Sequence, residues 1–338
     1  MSRSTGTTGV NLAAALARDA PLTVAAWMAR CNAHYYATRD PLGVAGDFTT
    51  APDISQMFGE LLGACLADAW ARAGSPPCRI IELGPGRGTL MADLLRVLRK
   101  AGCDVPVHFV ETSPVLRAAQ TRAVPDAVWH DDLAQVPDDL PLLLVANEFF
   151  DALPVRQFVA VADGWRERFV THDGACFGSA LGVMPVDALV PMHDAAPGSV
   201  FETSPASTAI AAEIGARLRA HGGAALIVDY GHAGPVTGDT LQAVRAHAFA
   251  DPFETPGEID LTAHVDFTAL AHAAGVTVQG PVGQGVFLNA LGIAARAERL
   301  GGQGTEVERL TGANAMGTLF KVLGLTGGGW PRLAGFDR

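Results

Sequence analysis

Residues 79–89 read Arg79-Ile80-Ile81-Glu82-Leu83-Gly84-Pro85-Gly86-Arg87-Gly88-Thr89, an apolar strand that runs into an acidic residue and three glycines at alternate positions. Glycine lets the backbone take positive φ and approach a ligand closely. The amphipathic run at 90–98 follows directly and predicts a helix whose N-terminus lies beside these glycines. The segment therefore predicts a nucleotide-binding turn between a strand and a helix.

The glycine spacing separates two classes of nucleotide ligand. A dinucleotide fingerprint needs G-x-G-x-x-G, but after Gly84 and Gly86 the third glycine is Gly88, one position early. Glu82 would repel a pyrophosphate and would suit the cationic ammonium and sulfonium groups of S-adenosylmethionine (SAM). SAM is the predicted cofactor, with S-adenosylhomocysteine as its product. An NAD-dependent oxidoreductase and a bare structural turn are the alternatives.

An acidic residue after the next predicted strand supports the SAM hypothesis. Glu111 ends the apolar run at 107–111 and lies 23 residues after Gly88. This is close to the spacing of about 20 residues at which an acidic side chain meets a ribose. We expect Glu111 to accept hydrogen bonds from both ribose hydroxyls, and a solvated carboxylate at the end of a strand is the alternative.

Composition excludes several classes of protein. The chain has 338 residues, 49% of them hydrophobic, and a formal net charge of −11, which argues against nucleic-acid binding. The five scattered cysteines favour a reducing compartment, and no histidine or cysteine spacing predicts a metal site. No apolar run reaches the roughly 20 residues of a membrane span. We expect a cytoplasmic protein in a bacterium, or one of the mitochondrial matrix in a eukaryote.

Alternating strand and helix patterns predict the fold class. Apolar strands at 79–83, 107–111, 127–130, 140–146 and 223–230 alternate with helices, which is typical of a doubly wound, mostly parallel α/β sheet. Residues 1–74 form a predicted helical N-terminal cap and lid, in which Asp53 would cap a helix from residue 54 to 73. Residues 75–338 form the predicted core, with insertions near 151–200 and 231–265 and a late helix at 286–300.

The residues after the fourth predicted strand are the main candidates for catalysis. Asn147, Glu148 and Asp151 alternate with two phenylalanines directly after that buried strand. Because ligands lie at the carboxyl ends of parallel strands, these groups are expected to hold a nucleophile against the methyl group. A helix cap is the alternative.

Motifs spread over nearly the whole chain match one family. They are Tyr35-Tyr36, residues 46–60, 82–88 and 147–154, Asp229-Tyr230-Gly231, residues 257–267 and 284–288, Met316-Gly317 and residues 320–322. The chain resembles the MidA-type methyltransferases, class I SAM-dependent enzymes that include the mitochondrial arginine methyltransferase of respiratory complex I assembly. The resemblance implies a Rossmann-like, seven-stranded class I methyltransferase fold.

The resemblance also implies roles for particular residues. Gly84, Gly86 and Gly88 correspond to the cofactor loop, with Glu82 near the methionine end, and Glu111 to the ribose contact. Asp132 and Leu133 correspond to adenine-side contacts. The cofactor and substrate lid corresponds to Phe48, Thr49, Asp53 and Gln56.

The acceptor implied by the resemblance is an arginine of a protein, such as a respiratory complex I subunit, and the family makes a homodimer an expectation. A guanidinium must be localised by carboxylates and must lose a proton around transfer. Glu148 and Asp151 are the candidates for this role, with Glu258 and Asp260 as second choices. His232 and His264 are weaker candidates because a lone histidine is more often structural. A non-catalytic SAM-binding assembly factor is the remaining alternative.

Overall fold

The computed structural model describes residues 11–38, 49–192, 195–245 and 248–336, and the predicted lid residue Phe48 lies outside these ranges. The helices are α1 (Leu12–Asp19), α2 (Val24–Thr38), α3 (Ala51–Ile54), α4 (Gln56–Arg72), α5 (Thr89–Lys100), α6 (Pro114–Ala123), α7 (Pro205–His221), α8 (Phe267–Ala274), α9 (Gln284–Ala290), α10 (Ile293–Arg299), α11 (Gly304–Thr311) and α12 (Met316–Leu319). Short 3₁₀ turns occur at Leu133–Gln135 and Asp187–Leu189.

The strands form three sheets. They are β1 (Leu22–Thr23), β2 (Arg79–Leu83), β3 (Val107–Val110), β4 (Val128–His130), β5 (Leu142–Asn147), β6 (Arg156–Val161), β7 (Gly164–His172), β8 (Phe177–Pro185), β9 (Val200–Thr203), β10 (Gly223–His232), β11 (Gln242–Arg245), β12 (Ala248–Ala250), β13 (Asp260–Thr262), β14 (Val265–Asp266), β15 (Thr277–Gly283) and β16 (Phe320–Gly327).

The central sheet has the order β15-β16-β10-β5-β2-β3-β4, and the short β14 pairs with the end of β10. Its strands from β10 through β5, β2, β3 and β4 are parallel, whereas β16 runs antiparallel to both of its neighbours. Leu83 lies opposite Ala146, and Asn147 lies opposite Val228, so the residues that follow β2, β5 and β10 meet at one edge. The prediction of a mostly parallel sheet is confirmed, and the short β14 makes eight strands where seven were expected.

Helices cover both faces of this sheet. On one face, α4 and α5 bury Phe58 and Met91 against Phe109 of β3. On the other face, α7 and α8 bury Ile214 and Phe267 against the inner strands. Strands that are covered on both sides read as continuous apolar runs, which explains why β2 and β5 are recognisable in the sequence. The doubly wound arrangement follows from these two cores.

Two smaller sheets occupy the predicted insertions. The antiparallel strands β6 to β9 follow β5, and β1 of the N-terminal segment pairs with β7. The strands β11 to β13 form a three-stranded sheet between β10 and α8. Helix α2 packs on a third hydrophobic cluster that includes Trp27, Val170 and Leu261. The domain division near residue 74 stays a prediction.

Two local predictions are wrong. The helix expected at 286–300 is two helices, α9 and α10, because Gly292 takes a φ of +86° between them. Asp53 does not cap the long helix. It lies inside α3, and Ser55 caps α4 by accepting a hydrogen bond from the Met57 N–H (3.3 Å). Within the described ranges, no helix is long and apolar enough to cross a membrane.

Candidate active site

A cavity of about 500 Å³ opens at the carboxyl ends of β2, β3 and β5. This position is the usual ligand site of an open parallel sheet, and the volume lies in the range of small-molecule sites. The cavity brings together most of the residues that the sequence predicts, namely Asp53, Glu82, Gly84, Gly86, Glu111, Asp132, Leu133, Asn147 and Glu148.

Other predicted residues do not line the cavity. Gly88 is the N-cap of α5 with a φ of +83°, so its role is to end the glycine loop at the start of that helix. Gln56 lies at the start of α4 and accepts a hydrogen bond from Arg96 Nη2 (3.4 Å). Thr49 and Asp151 are also absent from the lining. The lid segment contributes Thr50 and Pro52 instead.

The second-choice residues also lie outside the cavity lining. Glu258 is exposed, and Asp260 is buried and bonds to the hydroxyl of Tyr36, which does line the cavity. His232 contacts the Gly234 carbonyl (3.0 Å), and the His264 ring packs edge-on against Tyr230. These groups have structural partners rather than a direct position in the cavity.

The glycine loop is held in a conformation that side chains resist. Gly84 and Gly86 have φ values of +60° and +54°. A Cβ on Gly84 would lie 2.8 Å from the Phe149 ring. The Gly84 N–H bonds to the Val110 carbonyl (3.0 Å), and the Gly86 carbonyl accepts from Gln120 Nε2 (2.7 Å). The loop therefore presents its backbone to the cavity, as a bound nucleotide requires.

Glu82 provides a test of whether the cavity fits a cationic ligand. Its side chain is 2% exposed at the end of β2, and burial raises its pKa to about 8. Its Oε2 atom has no hydrogen-bond partner among the described residues. An unpaired buried carboxyl oxygen costs free energy that a cationic ligand would recover. The ammonium and sulfonium groups of SAM have the charge that this position requires.

Glu82 also predicts how stability depends on pH. The folded protein holds this proton up to about pH 8, whereas the unfolded chain releases it near 4.5. The stability that Glu82 contributes is therefore present below pH 4.5 and is lost as pH rises through about 8. We expect the ligand-free wild type to lose more Tm than Glu82→Gln between about pH 5 and 9, measured by scanning fluorimetry.

The difference between the two melting curves isolates Glu82 because the other buried carboxyl groups are common to both proteins. On the order of 3–5 kcal/mol separates the two protonation states for a shift of this size. Melting temperatures that run parallel over the whole pH range would show that the Glu82 carboxyl is not held protonated in the fold.

Glu111, the predicted ribose contact, lines the cavity directly after β3. Its Oε1 accepts the Ser113 N–H (2.7 Å), and its Oε2 accepts from Gln120 Nε2 (3.2 Å). Burial raises the pKa of Glu111, and these hydrogen bonds oppose the rise. A carboxylate has about four acceptor positions, so these bonds leave acceptor capacity for a ribose hydroxyl.

Glu111→Ala is expected to weaken SAM binding by about 10–100-fold, since hydrogen bonds to a charged acceptor contribute about 1.5–3 kcal/mol. Isothermal titration calorimetry measures the change. Glu111→Gln is the matched variant. Its Kd for SAM should lie between those of the wild type and Glu111→Ala, because glutamine keeps one acceptor oxygen. An unchanged Kd for SAM in Glu111→Ala would show that Glu111 does not bind the ribose.

The predicted adenine contacts, Asp132 and Leu133, both line the cavity. Leu133 is buried there and offers an apolar wall. Asp132 is exposed, and its Oδ1 accepts the Ala134 N–H (3.0 Å) as the cap of the 3₁₀ turn. Asp132 therefore holds the turn that carries Leu133 at the cavity wall.

The predicted catalytic residues Asn147 and Glu148 lie at a strained turn at the end of β5. Glu148 has a φ of +52°, which is uncommon for a residue other than glycine. Its Oε1 accepts the Ala51 N–H (3.2 Å) and Asn147 Nδ2 (3.1 Å). Burial raises the pKa of Glu148 to about 8, and the charge of Asp151 adds to the rise. The Asn147 Oδ1 is buried and has no hydrogen-bond partner among the described residues.

Asp151 lies behind this turn. It is 7% exposed, and burial raises its pKa to about 6, against a hydrogen bond from the Tyr230 hydroxyl. Tyr230 is itself packed between His264 and Phe320. Asp151 therefore influences the cavity through its charge on Glu148 rather than by direct contact.

Sequence reasoning did not find several residues of the site. Gln120 is fully buried on α6 and links the Gly86 carbonyl to Glu111. A polar residue on the apolar face of an amphipathic helix, one turn after Leu116, is the signal that points to it. Asn32 and Tyr36 of α2 also line the cavity. Tyr36 belongs to one of the matched motifs, whereas Asn32 gave no signal because of its distance in sequence.

The sheet order, the glycine loop and the acidic cavity define a class I SAM-dependent methyltransferase. Residues 61–282 match the family described as "Putative S-adenosyl-L-methionine-dependent methyltransferase", and the chain belongs to this family. The resemblance and the cofactor that it implies are confirmed. The NAD-dependent alternative does not hold.

Relatives and solved structures agree with this assignment. The chain is 36% identical over 323 residues to the mitochondrial protein arginine methyltransferase NDUFAF7 of Xenopus laevis, covering 83% of this chain and 73% of the relative. It is 38% identical over 321 residues to the human protein of that name, covering 83% and 72%. A Burkholderia thailandensis protein crystallised with S-adenosyl-homocysteine superposes with a TM-score of 0.80 at 28% identity, covering 99% of this chain and 96% of that one.

Proposed function

We propose that the protein transfers a methyl group from SAM to a guanidinium nitrogen of arginine in a protein acceptor, with Glu148 as the proton acceptor. The observation that carries the proposal is the Glu148 carboxyl, which lines the cofactor cavity and contacts two uncharged N–H groups. These two groups carry no positive charge, so a cationic acceptor would provide the counter-charge for an ionised Glu148.

The electrostatics of the cavity favour a cationic acceptor. Free of ligand, Glu148 keeps its proton at neutral pH because its pKa is raised to about 8. Entry of a guanidinium favours the ionised carboxylate and lowers that pKa, so binding releases the proton. An ionised Glu148 is then available to accept a proton from an acceptor whose own pKa exceeds about 12.

Methyl transfer also requires that the guanidinium be aligned with the methyl group of SAM. SAM supplies an electrophilic methyl group when it is bound. The Glu148 carboxyl lines the cavity, and a carboxylate can accept two parallel N–H groups of a planar guanidinium. Phe149 contacts the glycine loop and adds an aromatic wall that favours cations. Such positioning supplies much of the rate enhancement of a displacement at carbon.

Asp151 takes a supporting role in this proposal. It was predicted to be catalytic, but its side chain lies behind the turn and bonds to Tyr230. Its negative charge raises the pKa of Glu148 and makes Glu148 a stronger base once the guanidinium has bound.

The relatives support a narrower proposal about acceptor and location. They carry the name of mitochondrial protein arginine methyltransferases. We propose a protein acceptor such as a respiratory complex I subunit, reached in the matrix of a eukaryote or the cytoplasm of a bacterium. The homodimer implied by the family is tested by sedimentation of the purified chain.

The direct test is transfer from isotopically labelled SAM to candidate complex I subunits and to arginine-containing peptides, with mass spectrometry locating the methyl group. Matched peptides with lysine in place of arginine are the control. Methylation confined to arginine supports the proposal. Tight SAM binding without transfer to any acceptor would favour the non-catalytic assembly factor. Methylation of the lysine peptides would show that the acceptor is not restricted to arginine.

A further inference from the structure

Asp229 occupies an unusual position behind the catalytic turn. It lies on β10, its side chain is fully buried, and it does not line the cavity. Its Oδ2 atom accepts three successive backbone N–H groups, from Phe149 (3.2 Å), Phe150 (3.0 Å) and Asp151 (3.2 Å). Its Oδ1 accepts the N–H of Tyr230 (2.9 Å).

These bonds hold a turn that would not form unaided. The φ of +52° at Glu148 is a strained conformation, which persists only where the surroundings determine the backbone. The Glu148 N–H continues the sheet by bonding to the Val228 carbonyl (2.9 Å). The next three N–H groups all converge on the Asp229 carboxyl, so this side chain fixes the path of the chain directly after Glu148.

The Asp229 carboxyl is held by backbone N–H groups. Its hydrogen bonds come from four peptide N–H groups, which satisfy a side chain that is fully buried. Burial raises the pKa of Asp229 well above its usual range, the Asp151 and Glu148 carboxyls add to the rise, and the hydrogen bonds from the Asp151 and Tyr230 N–H groups oppose it. An asparagine in this place would lose at least one of the four bonds, because its Nδ2 group cannot accept a hydrogen bond.

We infer that Asp229 is a positioning residue: its carboxyl group anchors residues 149–151 and thereby sets the Glu148 carboxyl and the Phe149 ring at the cavity. The anchoring of residues 149–151 by Asp229 rests on these contacts, and the effect of Asp229 on turnover rests on the proposed function. Asp229 acts through the turn and touches neither the cofactor nor the acceptor.

The test compares Asp229→Asn with Glu202→Gln. Glu202 is a largely buried carboxyl on β9 that accepts Gln157 Nε2 (2.6 Å) and the Thr240 N–H (3.1 Å), away from the cavity. Both variants should lose Tm. Only Asp229→Asn should lower kcat, by about 10–100-fold, with the KM for SAM within about threefold of wild type, because misplacement of about 1 Å is sufficient for such a loss.

Hydrogen exchange gives an outcome that does not depend on the acceptor. Asp229→Asn should lose amide protection at Phe149, Phe150 and Asp151 while α5 keeps its protection. Should this variant not fold, Asp229→Glu keeps the carboxyl group, displaces it by one methylene, and should show the same division between kcat and KM.

Unchanged protection of the three amides in Asp229→Asn overturns the inference. So does a kcat of Asp229→Asn that equals that of the wild type, or a loss of kcat that Glu202→Gln shows as well. A wild type that binds SAM but methylates no arginine contradicts the proposed function alone, and the exchange result then decides the role of Asp229.

Discussion

Glu148→Gln is expected to lower kcat for arginine methylation by about 10²–10⁴-fold while changing the Kd for SAM by less than about fivefold. Glutamine has nearly the same shape, so its oxygen can still accept the Ala51 N–H that Glu148 accepts at 3.2 Å. It cannot accept the proton that the guanidinium loses. Steady-state kinetics with a peptide acceptor and calorimetry with SAM measure the two quantities separately.

The pH profile adds a second criterion for Glu148. Only the ionised carboxylate accepts a proton, and the pKa in the free enzyme is raised to about 8. We therefore expect kcat/KM of the wild type to increase as pH rises towards about 8, and this acidic limb to vanish in Glu148→Gln. Glu202→Gln, a carboxyl-to-amide change away from the cavity, should keep the wild-type profile. Unchanged turnover in Glu148→Gln would exclude Glu148 as the base.

The sheet was predictable because its strands carry a local signal. Buried parallel strands such as Leu142–Asn147 and Gly223–His232 are continuous apolar runs bounded by polar residues. Polar residues directly after such strands must meet at one edge, so the cavity position followed from sequence as well. The break at Gly292 was not predicted, because an amphipathic pattern can continue across a glycine whose backbone leaves the helix.

The orientation of individual carboxyls was not predictable in the same way. Asp151 follows the end of β5 by only four residues, yet it lies behind the turn because its N–H bonds to Asp229, 78 residues away in sequence. Asn32 lines the cavity because it bonds across 229 residues to the Leu261 carbonyl (2.7 Å). Such long-range backbone contacts leave no periodic trace in the sequence, so motif matching identifies the segment but not the direction of each side chain.

Gly86→Val is expected to weaken binding of SAM and S-adenosylhomocysteine by at least about 100-fold. Gly86 has a φ of +54° and lines the cavity, where its carbonyl is held by Gln120. A β-branched side chain resists this backbone region and would also occupy space at the cavity wall. Calorimetry measures the loss, and Gly86→Ala should show an intermediate affinity because it adds one methyl group without the branch.

Gly102→Val separates backbone strain from the loss of the site. Gly102 has a φ of +83° at the end of α5, with open space around the position of a Cβ. Both valine variants should therefore lose stability by a similar mechanism, since each forces a β-branched residue into positive φ. Only Gly86→Val should lose the ligands, measured at a temperature where both proteins are folded. Retained affinity in Gly86→Val would mean that the loop at 84–88 does not contact the cofactor, whereas equal loss in both variants would trace the effect to the fold.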